Sequence, residues 1–191
     1  IEIKVMKKSH EVDLTKGSIL KKLIIFALPL IGINLLQLLF STADTVVLGV
    51  FSSDRAVAAV GATLPIVNLL IGFFVGLSIG VNVLVARSVG ANQMEKSRRL
   101  VGTSLVASIV FGCLVLLVGF FCARTFMLWT KCDEAVIDYA TTYLKIYFLG
   151  MPVIMLYNFS ASILRAVGDT MRPFIYLIIG GVVNVFLNVT F

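Results

Sequence analysis

Apolar residues fill five long stretches of the chain, and polar or charged residues collect between them. The first stretch, residues 23–51, contains Asp44 as its one charged residue, and the other four contain none, over residues 56–86, 100–123, 146–164 and 173–191. A helix that crosses the hydrocarbon core of a bilayer needs about 20 apolar residues, so each stretch is long enough to span a membrane. The pattern predicts an all-α, polytopic helix bundle with five transmembrane helices, at about residues 23–51, 56–86, 98–123, 143–166 and 172–191.

The composition agrees with a membrane environment. Of the 191 residues, 59% are hydrophobic and 14% are charged, and the mean hydropathy is +1.04. Soluble domains carry about 25% charged residues. We therefore expect an integral membrane protein whose surroundings are the lipid bilayer, and we exclude a soluble enzyme core, a nucleic-acid-binding domain and a disulfide scaffold.

The basic residues predict the orientation of the helices. Twelve of the sixteen Lys and Arg residues fall on one side of the membrane when the five helices alternate in direction. Because basic residues are enriched in cytoplasmic segments, residues 1–22 should form a cytoplasmic N-terminal segment of a multi-pass protein of the plasma (inner) membrane. The twelve are Lys4, Lys7, Lys8, Lys16, Lys21, Lys22, Arg87, Lys96, Arg98, Arg99, Arg165 and Arg172.

Asp44 is the one charged residue well inside an apolar stretch. A carboxylate there is costly unless it is neutralised or reaches a water-filled cavity, so an intramembrane acid indicates a functional site. Gln37 lies two helical turns earlier on the same face, and both side chains can line one pocket. Asn34 and Asn68 are further polar groups that lipid cannot satisfy, and we expect them to face the bundle interior or a cavity.

A second polar group follows in the fifth predicted helix, where Asn184 and Asn188 are four residues apart on one face. Counted at about 1.5 Å per residue, these amides reach the outer half of the membrane, as Asp44 does. Tyr143 and Tyr147 begin the fourth predicted helix at a similar level. A carboxylate, amides and phenols that converge there can hold a proton, a sodium ion or an organic cation.

The connection before the fifth predicted helix has a compact turn pattern. Gly168 is suited to ending one helix, Asp169 or Thr170 to capping the next, and Pro173 to its first turn. Arg165 precedes this turn on the cytoplasmic side. Structural roles explain the single residues, but not the whole combination with its flanking arginines.

Proline and glycine positions add two structural predictions. Pro29 removes a backbone hydrogen bond from the first helix, which predicts a kink and makes a hinge there one interpretation. Gly72, Gly76 and Gly80 recur every four residues and predict a small-residue face on which another helix packs.

The chain lacks the usual residue patterns of enzymes. It has no phosphate-binding Gly-Lys loop, no paired catalytic carboxylates and no serine elbow, and His10 is its only histidine. We therefore expect no enzyme activity, no cofactor and no metal centre, apart from a sodium ion that Asp44 and Asn184 could bind.

Taken together, these residues resemble the multidrug and toxic compound extrusion (MATE) family along essentially the whole chain. The resemblance implies a twelve-helix exporter of two six-helix lobes that works by alternating access. Residues 23–191 would be five helices of the N-terminal lobe, incomplete at the C-terminus, and the C-terminal lobe of the same polypeptide would be their partner. The likeness rests on Asp13-Leu14-Thr15-Lys16-Gly17, Pro29, Ala43-Asp44-Thr45, Leu164-Arg165, Gly168-Asp169-Thr170, Pro173 and Asn184-Val185-Phe186-Leu187-Asn188.

For the site, the resemblance implies that Asp44 is the coupling carboxylate and Pro29 a bending point. Family members with an ion site in this lobe often have Asn-x-x-x-Asp in the fifth helix, where this chain has Asn184 and Asn188. The missing carboxylate favours proton coupling through Asp44 over a highly charged sodium site.

The sequence thus predicts secondary active efflux of amphipathic, often cationic, small molecules by antiport with protons or sodium. Asp44 would bind the coupling ion, and Gln37, Asn184 and Asn188 would shape the pocket. One alternative is a lipid-linked precursor flippase of the same superfamily, whose cavity should be richer in basic residues. Another is a non-transporting membrane assembly subunit.

Overall fold

The structure is a computed structural model, and it describes residues 19–190 except for the side chains of Ile19, Lys21, Lys22, Asn188 and Val189. Residues 1–18, which include the Asp13–Gly17 motif and most of the predicted cytoplasmic segment, lie outside the described residues. Between residues 19 and 190 the chain forms helices and short connections, without a strand. The helices are α1 (Ile19–Phe51), α2 (Asp54–Gly90), α3 (Met94–Trp129), α4 (Ile137–Leu149), α5 (Met151–Ala166) and α6 (Met171–Thr190).

The predicted class, an all-α polytopic membrane protein, is confirmed. Three helices are long and apolar enough to cross a bilayer, and α4 with α5 passes the same test as a bent pair. Residues Met171–Leu187 of α6 form a shorter apolar helix. α2 and α3 extend beyond the predicted bounds to Gly90 and Trp129, because charged residues near a helix end reach water without ending the helix.

The predicted fourth helix, at 143–166, is divided in the structure. α4 begins earlier, at Ile137, and meets α5 at Gly150 with a bend of 48°. The Gly150 N–H donates to the Tyr147 carbonyl at 3.1 Å, a short step that tightens the end of α4. Pro152 follows and has no N–H to continue the helical ladder, which explains the change of direction.

The described residues fall into two compact units, residues 48–162 and residues 19–47 with 163–190. In the first unit, Phe148 of α4 lies directly on Gly119 of α3, and its ring is 6.3 Å from that of Phe126. Asn82 of α2 donates from Nδ2 to the Ser162 carbonyl at 2.8 Å, so this intramembrane amide joins two helices. The buried core consists of Ala59, Val67, Phe74, Ala123, Met127, Ile137, Ala140, Leu144, Phe148, Met151, Met155 and Phe159.

Gly72, Gly76 and Gly80 contact no other helix among the residues that the structure describes, so their packing role stays a prediction. A Cβ added at any of the three would meet no described atom within 4 Å. The buried face of α2 instead carries Phe74 and Ser78, which lie on the opposite side of the helix from the glycines. The four-residue spacing thus identifies one face of α2, and the described residues pack on the opposite face.

Gly112 of α3 is the glycine whose backbone contact is least able to yield, and Gly112→Ala should destabilise the fold. The added Cβ would lie 2.6 Å from the Pro152 Cα, and a backbone atom cannot rotate away. We expect a loss of about 1–3 kcal/mol in the free energy of unfolding. Thermal unfolding in detergent measures it, and Gly102→Ala is the matched control in open space on the same helix. Equal behaviour of the two variants would contradict the prediction.

Candidate functional site

α1 and α6 pack through two reciprocal contacts between a phenylalanine and a glycine, both within the unit of residues 19–47 and 163–190. Phe174 of α6 faces Gly32 of α1, where an added Cβ would lie 2.8 Å from its ring. Phe40 of α1 lies directly on Gly181 of α6. The second contact is eight residues further along α1 and seven further along α6. Because both positions advance together, the two helices run parallel, as the alternating topology requires for the first and fifth spans.

These contacts set the height of Asp44 relative to α6. Asp44 follows Phe40 by four residues, a rise of about 6 Å on the same face of α1. Asn184 follows Gly181 by three residues, a rise of about 4.5 Å on the same face of α6. The two residues therefore lie within about 1.5 Å of one level along the pair. Each of them has an interaction partner, and Asp44 is half-buried.

Asp44 belongs to a polar strip along α1. Asn34, Gln37, Ser41 and Asp44 are spaced by three or four residues, so they share one face of the helix. Asn34, Gln37 and Ser41 are exposed in the structure, whereas Asp44 is half-buried. Among these four, Asp44 is the polar residue closest to the face that carries Phe40 and therefore to α6.

The hydroxyl groups beside Asp44 are turned toward their own helix. Thr42 donates to the Leu38 carbonyl and Thr45 to the Ser41 carbonyl, each at 2.8 Å. Such bonds to the preceding turn compete with the helical ladder and can bend a helix. The Thr42 and Thr45 hydroxyls thus donate to the backbone of α1, and Asp44 is the charged residue between them.

Asn188 lies one turn beyond Asn184 on the backbone of α6, but its side chain is outside the described residues. Asn68, Tyr143 and Tyr147 belong to the other unit, residues 48–162. Asn68 and Tyr143 are exposed there, and Tyr147 is half-buried. Their convergence with Asp44 stays a prediction, whereas Asp44 and Asn184 share one unit and one level.

The connection between α5 and α6 has the geometry of a closed helix end followed by a capped helix start. Gly168 has a φ of 90°, which its lack of a side chain permits. Its N–H donates to the Arg165 carbonyl at 3.1 Å, and the Asp169 N–H donates to the Leu164 carbonyl at 2.9 Å. These two bonds form a Schellman motif, which ends α5. Arg165 also has an interaction partner.

Asp169 then begins α6. Its Oδ1 accepts the Arg172 N–H at 3.1 Å, the bond of a helix N-cap, and Thr170 follows as a buried residue. Oδ2 lies 3.1 Å from Nε of Arg172 without the alignment of a hydrogen bond, so this contact is an ion pair. Pro173, in the first turn of α6, is fully buried. The connection between α5 and α6 is thus built around one buried carboxylate.

Two further observations concern Pro29 of α1 and the residues that could bind a metal ion. α1 continues as one helix through Pro29, which is buried. Over residues 19–190, no group of three or more His, Cys, Asp or Glu residues gathers in a way that could hold a metal ion. Within the unit of residues 19–47 and 163–190, the acidic residues are Asp44 and Asp169, and Asp169 lies at the start of α6, far along that helix from Asn184.

The residues that pair α1 with α6 carry no chemical signal in the sequence. Phe40, Phe174, Gly32 and Gly181 are apolar residues in apolar helices, and many others in the chain look the same. The adjacent pair Gly180 and Gly181 was the available signal, since small residues allow close helix approach. The sequence alone does not distinguish Gly181, which is covered, from Gly180, which is open.

The MatE family model matches residues 29–190. A relative in Bacillus subtilis, the probable multidrug resistance protein YoeA, is 30% identical over 173 residues, which are 91% of this chain and 37% of that protein. Two crystal structures, described as MATE in the straight and in the bent conformation, superpose with TM-scores of 0.84 and 0.83 at 25% identity. Each superposition covers 95% of this chain and 40% of the other, so the chain spans about two fifths of the length of its solved relatives.

Proposed function

The chain belongs to the MatE family of multidrug and toxic compound extrusion transporters, and on this premise we propose that it is part of a secondary active exporter of amphipathic, often cationic, small molecules. The exporter would exchange its substrate for protons or sodium ions. The chain would act together with a second lobe of the same protein, in the plasma membrane, with its N-terminus in the cytoplasm.

The common level of Asp44 and Asn184 is the observation that carries this proposal. A cation that binds there meets one negative charge on α1 and one amide on α6. An organic cation and a small inorganic cation would compete for the same carboxylate, because one negative charge compensates one positive charge in a poorly solvated place. Competition of this kind is what an antiporter needs at a shared site.

Coupling requires that the two conformations of the exporter differ in their affinity for the cation. A state in which α1 and α6 are in register offers the carboxylate and the amide together. A state in which the outer part of α1 has moved offers only one of them. The coupling cation then favours the first state and the substrate leaves from it, whereas loss of the cation permits the return.

Export by the full-length protein in reconstituted vesicles tests the proposal. With a fluorescent cationic dye, we expect an imposed proton or sodium gradient to drive dye movement, and collapse of that gradient with an ionophore to stop it. The single Asp44 carboxylate without a second acid favours the proton gradient as the effective one. Vesicles that respond to neither gradient would contradict antiport, and movement of a lipid-linked precursor in place of the dye would support the flippase.

A further inference from the structure

Phe40 of α1 lies on Gly181 of α6, and Asp44 follows Phe40 by one helical turn. We propose that Phe40 is a positioning residue for the cation site: its ring, seated on the Gly181 backbone, keeps the Asp44 carboxylate level with Asn184. This inference rests on the proposed function, since it assigns a role within the cation site. Phe40 itself touches no cation and acts only through the register of the two helices.

Gly181 makes this contact possible because it has no side chain. Gly181 is buried, and a Cβ placed on it would overlap the Phe40 ring. Gly180, its neighbour on the same helix, is exposed, and an added Cβ there meets nothing within 4 Å. Of two adjacent glycines with the same helix propensity, only one therefore supports the position of α1.

The location of the contact explains why the site would depend on it. Phe40 lies one turn below Asp44, and Gly181 lies just under one turn below Asn184. A displacement of α1 by one residue would change the relative height of carboxylate and amide by about 1.5 Å, which is large compared with the tolerance of a coordinated cation. The contact is apolar and non-directional, so it can fix the register without a hydrogen bond that motion would have to break.

The reciprocal contact gives a matched comparison. Gly32 and Phe174 join the same two helices, but they lie about 18 Å below Asp44 along α1. A methyl group at Gly32 would come within 2.8 Å of the Phe174 ring, a smaller overlap than a methyl group at Gly181 would have with the Phe40 ring. Disturbing this contact changes the packing of α1 on α6 without directly moving the turn that carries Asp44.

Cation titration of dye export by the full-length protein tests the proposal. We expect Gly181→Ala to raise the half-saturating concentration of the driving cation about tenfold, which corresponds to ~1.4 kcal/mol, with a smaller change in the maximal rate. Gly180→Ala and Gly32→Ala should leave it within about twofold. Phe40→Ala alone should raise it in the same direction, because the ring that sets the height of Asp44 is then missing. An equal rise in Gly32→Ala and Gly181→Ala would overturn a positioning role.

Disulfide formation between Cys residues introduced at positions 44 and 184 reports the register without any transport. In full-length protein that lacks Cys113, Cys122 and Cys132, we expect rapid cross-linking that Gly181→Ala slows and Gly180→Ala leaves unchanged. Cross-linking at one rate in both variants would overturn the inference, whether or not the protein exports dye. A wild-type protein without cation-driven export but with the expected cross-linking pattern would instead contradict the proposed function and leave the positioning role in place.

Discussion

Replacing Asp44 by asparagine is expected to reduce cation-driven dye export by about 10- to 100-fold. The estimate corresponds to the loss of a charge-assisted interaction worth ~1.5–3 kcal/mol. Asparagine keeps the shape of aspartate and can still accept a hydrogen bond, but it carries no negative charge and takes up no proton. The variant should therefore fold and insert while losing its preference between the cation-bound and cation-free states.

The size of this effect follows from the arithmetic of a two-state transporter. A ligand shifts a conformational equilibrium only by the difference between its affinities for the two states. Without a charge on α1, a cation gains little from the state in which Asp44 and Asn184 are level. The gradient would then no longer bias the cycle, although substrate could still move down its own gradient.

Asp54→Asn is the matched control for this experiment. Asp54 is an exposed aspartate in the first turn of α2, at the opposite end of the α1–α2 connection from the site. It carries the same charge and undergoes the same chemical change, but it lies outside the α1–α6 pair. Both variants are measured in vesicles with equal protein content. Full cation-driven export by Asp44→Asn would show that Asp44 does not couple cation binding to transport.

The positions of the helices followed from the sequence, because charge-free stretches of about 20 residues have few other physical explanations. The helix ends and the bend at Gly150 did not. A count of charges ends the second and third helices before Arg87 and Arg124, although charged residues near the membrane surface remain helical. Gly150 and Pro152 were visible in the sequence, but both residues are common inside membrane helices, so their presence does not distinguish a bend from a straight span.

The residues of the candidate site could be identified from the sequence, but their relative heights could not. The unusual chemistry of Asp44 within an apolar helix identified it at once, and the spacing of Asn184 and Asn188 identified their common face. Their height relative to Asp44 depended on where each helix enters the membrane, which the sequence does not state. In the structure that height follows from Phe40 on Gly181, a contact between residues that carry no chemical signal of their own.

The spacing of the glycines also did not predict which of them contact another helix. The regular spacing of Gly72, Gly76 and Gly80 suggested a packed face, and the described residues leave that face open. Gly112, Gly119 and Gly181 lack such a pattern, and each lies against a bulky neighbour. Close approach depends on what the other helix presents, so the sequence of one helix predicts it poorly.

Replacing Asp169 by alanine is expected to lower the stability of the protein by about 2–3 kcal/mol, because it removes an N-cap and a buried ion-pair partner together. Asp169 is 1% exposed, and Arg172 is its partner both through the backbone N–H and through Nε. Without the carboxylate, the Arg172 N–H loses its acceptor and the partly buried guanidinium of Arg172 loses its counter-charge. Thermal unfolding in detergent measures the loss.

Two further variants separate the two contributions of Asp169. Asp169→Asn keeps an oxygen that can cap α6 and removes only the charge, so it should lose less stability than Asp169→Ala. Asp133→Ala is the control, because Asp133 also accepts a backbone N–H, from Ala135 at 2.9 Å, but in an exposed connection. It should change stability by about 1 kcal/mol or less. Since α6 carries Asn184, fraying at the start of α6 would also disturb the proposed cation site. Equal stabilities of Asp169→Ala and Asp133→Ala would show that the buried turn does not anchor this helix.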